Sequence, residues 1–317
     1  MDVSKFTKIS FPALGLELDP IKEFALFGMN VRLYGIVIAV GLLLAVIYGL
    51  KRSKQFGLKE DDILDGVLGI VPFAIICARA YYCIFSWSDY AANPIEVLYI
   101  WKGGLAIYGG VIGAVIGVLV FCAIKKVKPA AVLDMVLLAF LIGQAIGRWG
   151  NFFNREAFGA ETESIFRMGL FNKNTQSYEY YHPTFLYESL WNAAGFVILH
   201  FLSKKRQYDG QIALGYVVWY GLGRTMIEGL RMDSLYIGSI RVSQLLAAAS
   251  CFIAATILVV NFFRKHEKEK LFVNQVAAWA EAEAVLAEAD TEEEETTEAP
   301  CEKEEEVTEE KPMEEDN

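Results

Sequence analysis

The apolar residues of this chain gather in seven blocks of roughly 17–24 residues, at about 31–50, 63–85, 104–124, 131–147, 184–202, 211–230 and 242–263. That length matches a helix crossing about 30 Å of hydrocarbon. The expected fold is an all-α polytopic membrane protein with seven transmembrane helices. Hydrophobic residues are 54% of the sequence and its mean hydropathy is +0.32, above the globular average of about 45–50% apolar.

Charge between the blocks sets the expected orientation. Lys51, Arg52, Lys54 and Lys59 follow the first block, and Lys125, Lys126 and Lys128 the third. Lys204, Lys205 and Arg206 follow the fifth, and Arg264, Lys265, Lys268 and Lys270 the seventh. Basic loops stay in the cytoplasm, so the N-terminus is expected outside and the C-terminus cytoplasmic. The start, "MDVSKFTKISFPALGLELDP", lacks the charged beginning and short apolar core of a cleavable signal; the first helix is expected to stay.

Two domains are expected: residues 1–270 as the membrane domain and 271–317 as a tail. The net charge of −10 hides that division. Residues 281–317 hold eighteen Asp and Glu against Lys303 and Lys311, so the body is net basic. The stretch from Leu271 suits a short amphipathic helix. The Glu/Thr-rich run after it is too charged to pack, and disorder is expected there. No basic patch with interleaved aromatics argues for nucleic acid. The five cysteines show no CxxC spacing, so neither a metal site nor a disulfide framework is indicated.

On the expected orientation, the unusual polar residues fall at one level, toward the outer face. Tyr34 opens the first span, Arg79 lies in the second and Tyr108 begins the third. Arg148, Asn151 and Glu156 leave the fourth in "GRWGNFFNREAFG", residues 147–159. His182 precedes the fifth and Glu188 lies inside it. Arg224, Glu228 and Arg231 lie in or just beyond the sixth. Only Asp65 and Asp134 lie nearer the cytoplasm. A charged group at a helix centre costs about 2.5–3.5 kcal/mol, so such a layer marks either a site or ion pairs tying helices together. Arg224 and Glu228, four apart, can pair on one face. Gly109, Gly113 and Gly117 repeat every four residues, the small-residue pattern of close helix packing. A transporter or channel for an anionic solute would also use an arginine layer, but would continue polar groups to the other side; beyond Asp65, Asp134 and Gln144 the inner halves are apolar.

"GRWGNFFNREAFG" resembles the signature of the prolipoprotein diacylglyceryl transferase family. "RLYGIVIAVG", "ARAYY", "WKGGLAIYGG", "HPTFLYES" and "YGLGRTMIEGLR" resemble further segments of that family, in its order. The resemblance covers roughly residues 20–265. It implies a seven-helix enzyme of the bacterial cytoplasmic (inner) membrane, with its active site toward the outer leaflet. The reaction implied moves the diacylglyceryl group of phosphatidylglycerol to the lipobox cysteine of a prolipoprotein signal peptide, giving a thioether and glycerol phosphate. Membrane lipids are the surroundings, and no cofactor or metal is implied. By this resemblance, Arg148, Asn151, Glu156 and Gly159 match signature residues, Tyr34 the tyrosine of the first helix, and Arg224 and Glu228 an arginine–glutamate pair with Arg231 beyond. Arg148 and Arg224 are expected to hold phosphate, with Glu188, Arg231 and Arg79 as further substrate-binding groups. Some members carry a histidine where this chain has Tyr108. A phenol is a poor base at neutral pH, and His182 is the substitute by type; the base stays unassigned.

Overall fold

The computed structural model describes residues 3–26, 29–232, 236–237 and 240–297. Nine helices are described: α1 Leu33–Arg52, α2 Glu60–Phe85, α3 Trp87–Tyr90, α4 Ile107–Lys125, α5 Pro129–Asn154, α6 Thr184–Ser203, α7 Gln211–Glu228, α8 Val242–Phe262 and α9 Phe272–Thr297. Six of them, α1, α2, α4, α5, α6 and α8, are long and apolar enough to cross a membrane. The seventh expected span coincides with α7, which carries Arg224 and Glu228 and falls outside those six. The chain divides into two compact units, Met1–Gln275 and Val276–Asn317. Helix α9 takes in the amphipathic stretch and the Glu/Thr run as far as Thr297.

Small residues set the helix pairs. A Cβ at Gly109 would lie 2.4 Å from Tyr81 Cβ, one at Gly113 2.6 Å from Cys77 Cβ, and one at Gly117 3.1 Å from Ile70. The glycine stripe of α4 is therefore the surface on which α2 packs, as the spacing predicts. Gly41 meets the Gly143 backbone in the same way, joining α1 to α5. Helix α5 also packs on α6 and α7, and α7 on α8.

The two acidic residues placed deepest in the sequence reading have structural partners. Asp134 is fully buried and accepts from Gly210 N and Ala213 N, each at 2.8 Å, capping the start of α7. Asp65 lies 2.5 Å from Lys125, which also reaches Asp62 at 3.1 Å.

The all-α expectation missed eight short strands. These are β1 Phe6–Phe11, β2 Leu16–Leu18, β3 Glu23–Leu26, β4 Met29–Arg32, β5 Met168–Asn172, β6 Ser177–Tyr181, β7 Tyr236–Ile237 and β8 Ile240–Arg241. Four form one antiparallel sheet in the order β2-β1-β5-β6, with Ile9 opposite Leu170 and Gly169 opposite Tyr180. Phe6, Ile9, Met168, Leu170 and Tyr181 pack from this sheet onto Phe152 at the end of α5, Phe158 and Phe185 at the start of α6. The sheet thus braces the two helix ends that carry the polar motif.

Candidate active site

The motif "GRWGNFFN" forms the last two turns of α5, and the helix stops at Arg155 in the left-handed conformation (φ 56°). Ala157 repeats that conformation (φ 55°). Two such non-glycine residues in three positions are a strained backbone that must be held by its surroundings. The holding groups are visible. Arg155 donates to Pro20 O at 2.6 Å and Asp19 Oδ1 at 3.2 Å. Thr184 Oγ1 donates to Ala157 O. Gly159 N donates to His182 O at 2.9 Å, and Ala160 N to Leu230 O at 2.7 Å. Gly159 also bridges to Arg231, and a Cβ there would lie 2.8 Å from both His182 Cβ and Leu230 O. Only glycine lets these three segments meet.

Around this turn three arginines converge on one carboxylate. Glu188 of α6 is 6% exposed. Its Oε2 lies 2.5 Å from Arg148 Nη2, and its Oε1 lies 3.1 Å from Arg231 Nη1 and 3.6 Å from Arg224 Nη1. Arg224 Nη2 also stands 2.7 Å from Glu228 Oε2, an ion pair without hydrogen-bond alignment. Glu228 is 1% exposed, and its backbone carbonyl accepts from Arg241. Among the described residues, three guanidinium groups thus converge on Glu188, and Arg224 also meets Glu228. Such a gathering of planar forks suits phosphate oxygens.

Secondary contacts lock the cluster. Trp149 Nε1 donates to Ser189 Oγ at 3.2 Å, and Ser189 Oγ to Ala145 O at 2.8 Å, so α5 and α6 are stitched beside the Arg148–Glu188 pair. Trp191 and Trp219 stack with centroids 4.5 Å apart, and each indole N–H donates to the other residue's carbonyl at 2.9 Å. Each ring lies over the partner helix's glycine: a Cβ at Gly195 would be 2.3 Å from Trp219 Nε1, and one at Gly223 2.2 Å from Trp191 Nε1. This reciprocal clamp sets α6 against α7, and so Glu188 against Arg224. Its signal is readable as a doubled W-x3-G, "WNAAG" and "WYGLG", which the sequence reading passed over.

The other expected residues are placed as follows. Asn151 Nδ2 and Asn154 Nδ2 both donate to Glu156 Oε1, at 3.1 and 3.0 Å, a small hydrogen-bonded unit of its own. Tyr34 packs its ring on Gly150, where a Cβ would lie 2.6 Å from Tyr34 Cδ2. His182 Nδ1 lies 3.4 Å from Tyr187 Oη. Tyr108, 46% exposed in the first turn of α4, makes no hydrogen bond with the described residues.

Arg79 is placed differently from the expectation. It is buried and spends its fork on backbone carbonyls: Glu96 O at 2.7 Å, Val97 O at 2.8 Å, Gly103 O at 2.7 Å and Gly104 O at 2.9 Å. Its guanidinium also lies 5.1 Å from the Tyr90 ring centroid. Every fork nitrogen is occupied by the loop between α3 and α4, so the charge is satisfied without a substrate.

On the sheet beside the site, Glu179 accepts from Asn172 at 2.6 Å and Tyr181 at 2.7 Å. These hydrogen bonds, with Lys5 nearby, hold its carboxyl below the usual range, while burial and then Glu179 raise the Tyr181 phenol. Among the described residues no group of three or more His, Cys, Asp or Glu is arranged to hold a metal ion.

Comparison with known proteins gives a consistent result. The family model described as prolipoprotein diacylglyceryl transferase matches residues 22–260. A phosphatidylglycerol–prolipoprotein diacylglyceryl transferase of Enterococcus faecalis is 45% identical over 265 residues, 78% of this chain and 95% of that protein. Proteins of the same name from Clostridium novyi and Bacillus velezensis are 43% and 42% identical, covering 76% and 77% of this chain and 95% and 93% of theirs. These matches give the transporter alternative no support.

Proposed function

The chain belongs to the prolipoprotein diacylglyceryl transferase family, and on that premise we propose that its arginine cluster moves the diacylglyceryl group of phosphatidylglycerol onto the lipobox cysteine of a prolipoprotein. The observation that carries this is the convergence of Arg148, Arg224 and Arg231 on Glu188.

In the reaction the cysteine sulfur, as thiolate with its proton given up to water, attacks the phosphate-bearing carbon of the diacylated glycerol. A C–S bond forms, the C–O bond to phosphate breaks, and glycerol phosphate leaves with the bonding electrons. Negative charge grows on the phosphate as that bond breaks. Arg148 and Arg224 supply charge-assisted donors where it grows. Glu188 holds the forks in place beforehand, so little reorganisation is needed during the step, and Glu228 orients Arg224 from one turn away. Asn151 and Glu156 position the glycerol headgroup, and Tyr34, seated on Gly150, closes the site from α1. A thiol of pKa about 8.5 is already partly thiolate near neutral pH. A strong base is not required, and Tyr108 and His182 take positioning roles. Arg79 organises the loop before α4 rather than binding lipid.

In this proposal α7 crosses the membrane as a seventh span, because the basic segments between the apolar blocks call for an odd number. The cluster then opens toward the outer leaflet of the cytoplasmic membrane, where both substrates are anchored. The test uses purified protein in phosphatidylglycerol vesicles with a lipobox peptide, read by mass spectrometry. A diacylglyceryl mass gain on the cysteine with glycerol phosphate released, both lost in Asn151→Ala, is the expected result. No gain with the wild type, under conditions where the Enterococcus faecalis protein works, would end the proposal.

A further inference from the structure

Between α6 and α7 lies a narrow cleft lined by Glu188, Trp191, Asn192, Tyr220, Gly223 and Arg224. Asn192 is 3% exposed, yet its amide makes no hydrogen bond with the described residues. Its amide is not sealed in the core but faces the space of the cleft. The Trp191–Trp219 clamp holds α6 against α7 beside it. A donor and an acceptor that make no hydrogen bond with the described residues thus line a cleft that the ion-paired cluster shares.

The position of Asn192 says what fills it. It follows Glu188 by four residues, on the same face of α6 and about 6 Å further along the axis. Helix α6 enters from the end that carries the arginine cluster, so Asn192 lies one turn deeper than the groups proposed for the phosphate. In a glycerophospholipid the groups one step deeper than the phosphate are the acyl ester carbonyls, which are acceptors only. The amide N–H2 is the matching donor. Glu188 and Arg224, one turn above, are already engaged with each other and suit charge rather than an ester. Resting on the proposed transfer reaction, we propose that Asn192 donates a hydrogen bond to an acyl ester carbonyl of the lipid, fixing the depth at which the glycerol carbon meets the thiol.

The experiment compares phosphatidylglycerol carrying two ester-linked chains with its diether analogue, which keeps the phosphate and loses both carbonyls. Transfer to a lipobox peptide is measured by mass spectrometry from vesicles of each lipid. The wild type is expected to favour the diester by about tenfold in kcat/KM, the scale of one good hydrogen bond. In Asn192→Leu, which keeps the volume and removes the donor, that ratio is expected to fall to about one. Asn192→Ala, which cannot overpack the cleft, should give the same collapse if the leucine variant does not fold. A wild-type ratio near one overturns the inference, and so does a tenfold ratio that survives in either variant. Failure of the wild type to transfer from either lipid strikes instead at the proposed reaction.

Discussion

At the proposed site, the geometry of single side chains matters as much as their charge. Arg224 reaches Glu188 with one nitrogen and Glu228 with another. Lysine keeps the charge but offers one point instead of a planar fork. Arg224→Lys is therefore expected to lose at least tenfold in transfer rate in phosphatidylglycerol vesicles; full activity would remove Arg224 from the phosphate site. Glu188→Gln has a different signature, because it leaves Arg148, Arg224 and Arg231 facing one another without their shared anion. Breaking a buried pair costs about 3–5 kcal/mol. Here about 2–3 kcal/mol is expected, since the arginine side chains keep 10–23% of their surface exposed. Thermal unfolding in detergent, alongside the transfer assay, checks both losses. The arginines and Glu188 were legible from sequence as polar groups too costly to strand in lipid. Their convergence on one carboxylate was not, because pairing depends on the rotation of three helices about their axes. Arg79 shows the limit most clearly: its type and depth matched the others, but only the folded loop shows that four carbonyls already hold it.

At the scale of elements, close approach decides the site. Gly195 and Gly223 exist to admit the tryptophan rings of the facing helix. Gly223→Ala places a methyl where Trp191 lies and must push α6 from α7, lowering both thermal stability and transfer. Gly69→Ala in α2, with nothing within 4 Å, is the matched control and should leave both unchanged. The four-stranded sheet makes a separate prediction with pH. Glu179 is bonded to Asn172 and Tyr181, so its folded-state pKa is depressed. Its contribution is fully present above the ordinary glutamate value of about 4.3 and is lost as pH falls through the lower folded value. Unfolding followed below about pH 4.5 should show a loss that Glu179→Gln lacks. The sheet was readable in principle, since "FTKISF" alternates and "NKNT" suits a turn between two short aromatic runs. Seven long apolar blocks drew attention away from strands of two to six residues.

The whole molecule divides into two compact units. The family model ends at residue 260, and the first compact unit ends at Gln275. A chain stopped after Gln275 is expected to retain transfer within about twofold in the vesicle assay. A larger loss would give the second unit a part in the reaction. A single cysteine placed at Ser88, in a background without the native ones, should react with an impermeant maleimide from outside intact cells if the proposed orientation holds. Labelling only after lysis would reverse that orientation. The sequence by itself determined that this chain is a bundle of apolar helices, because unbonded backbone cannot stand in hydrocarbon and block length matches its thickness. It also determined which residues are too polar to be there without a purpose. Tertiary structure alone decided which of those residues meet: Arg148, Arg224 and Arg231 share Glu188, Arg79 serves a loop, and Asn192 lines the cleft beside them. Those outcomes depend on angstrom-scale contacts between helices, set by glycines and indoles, which no spacing within one helix records.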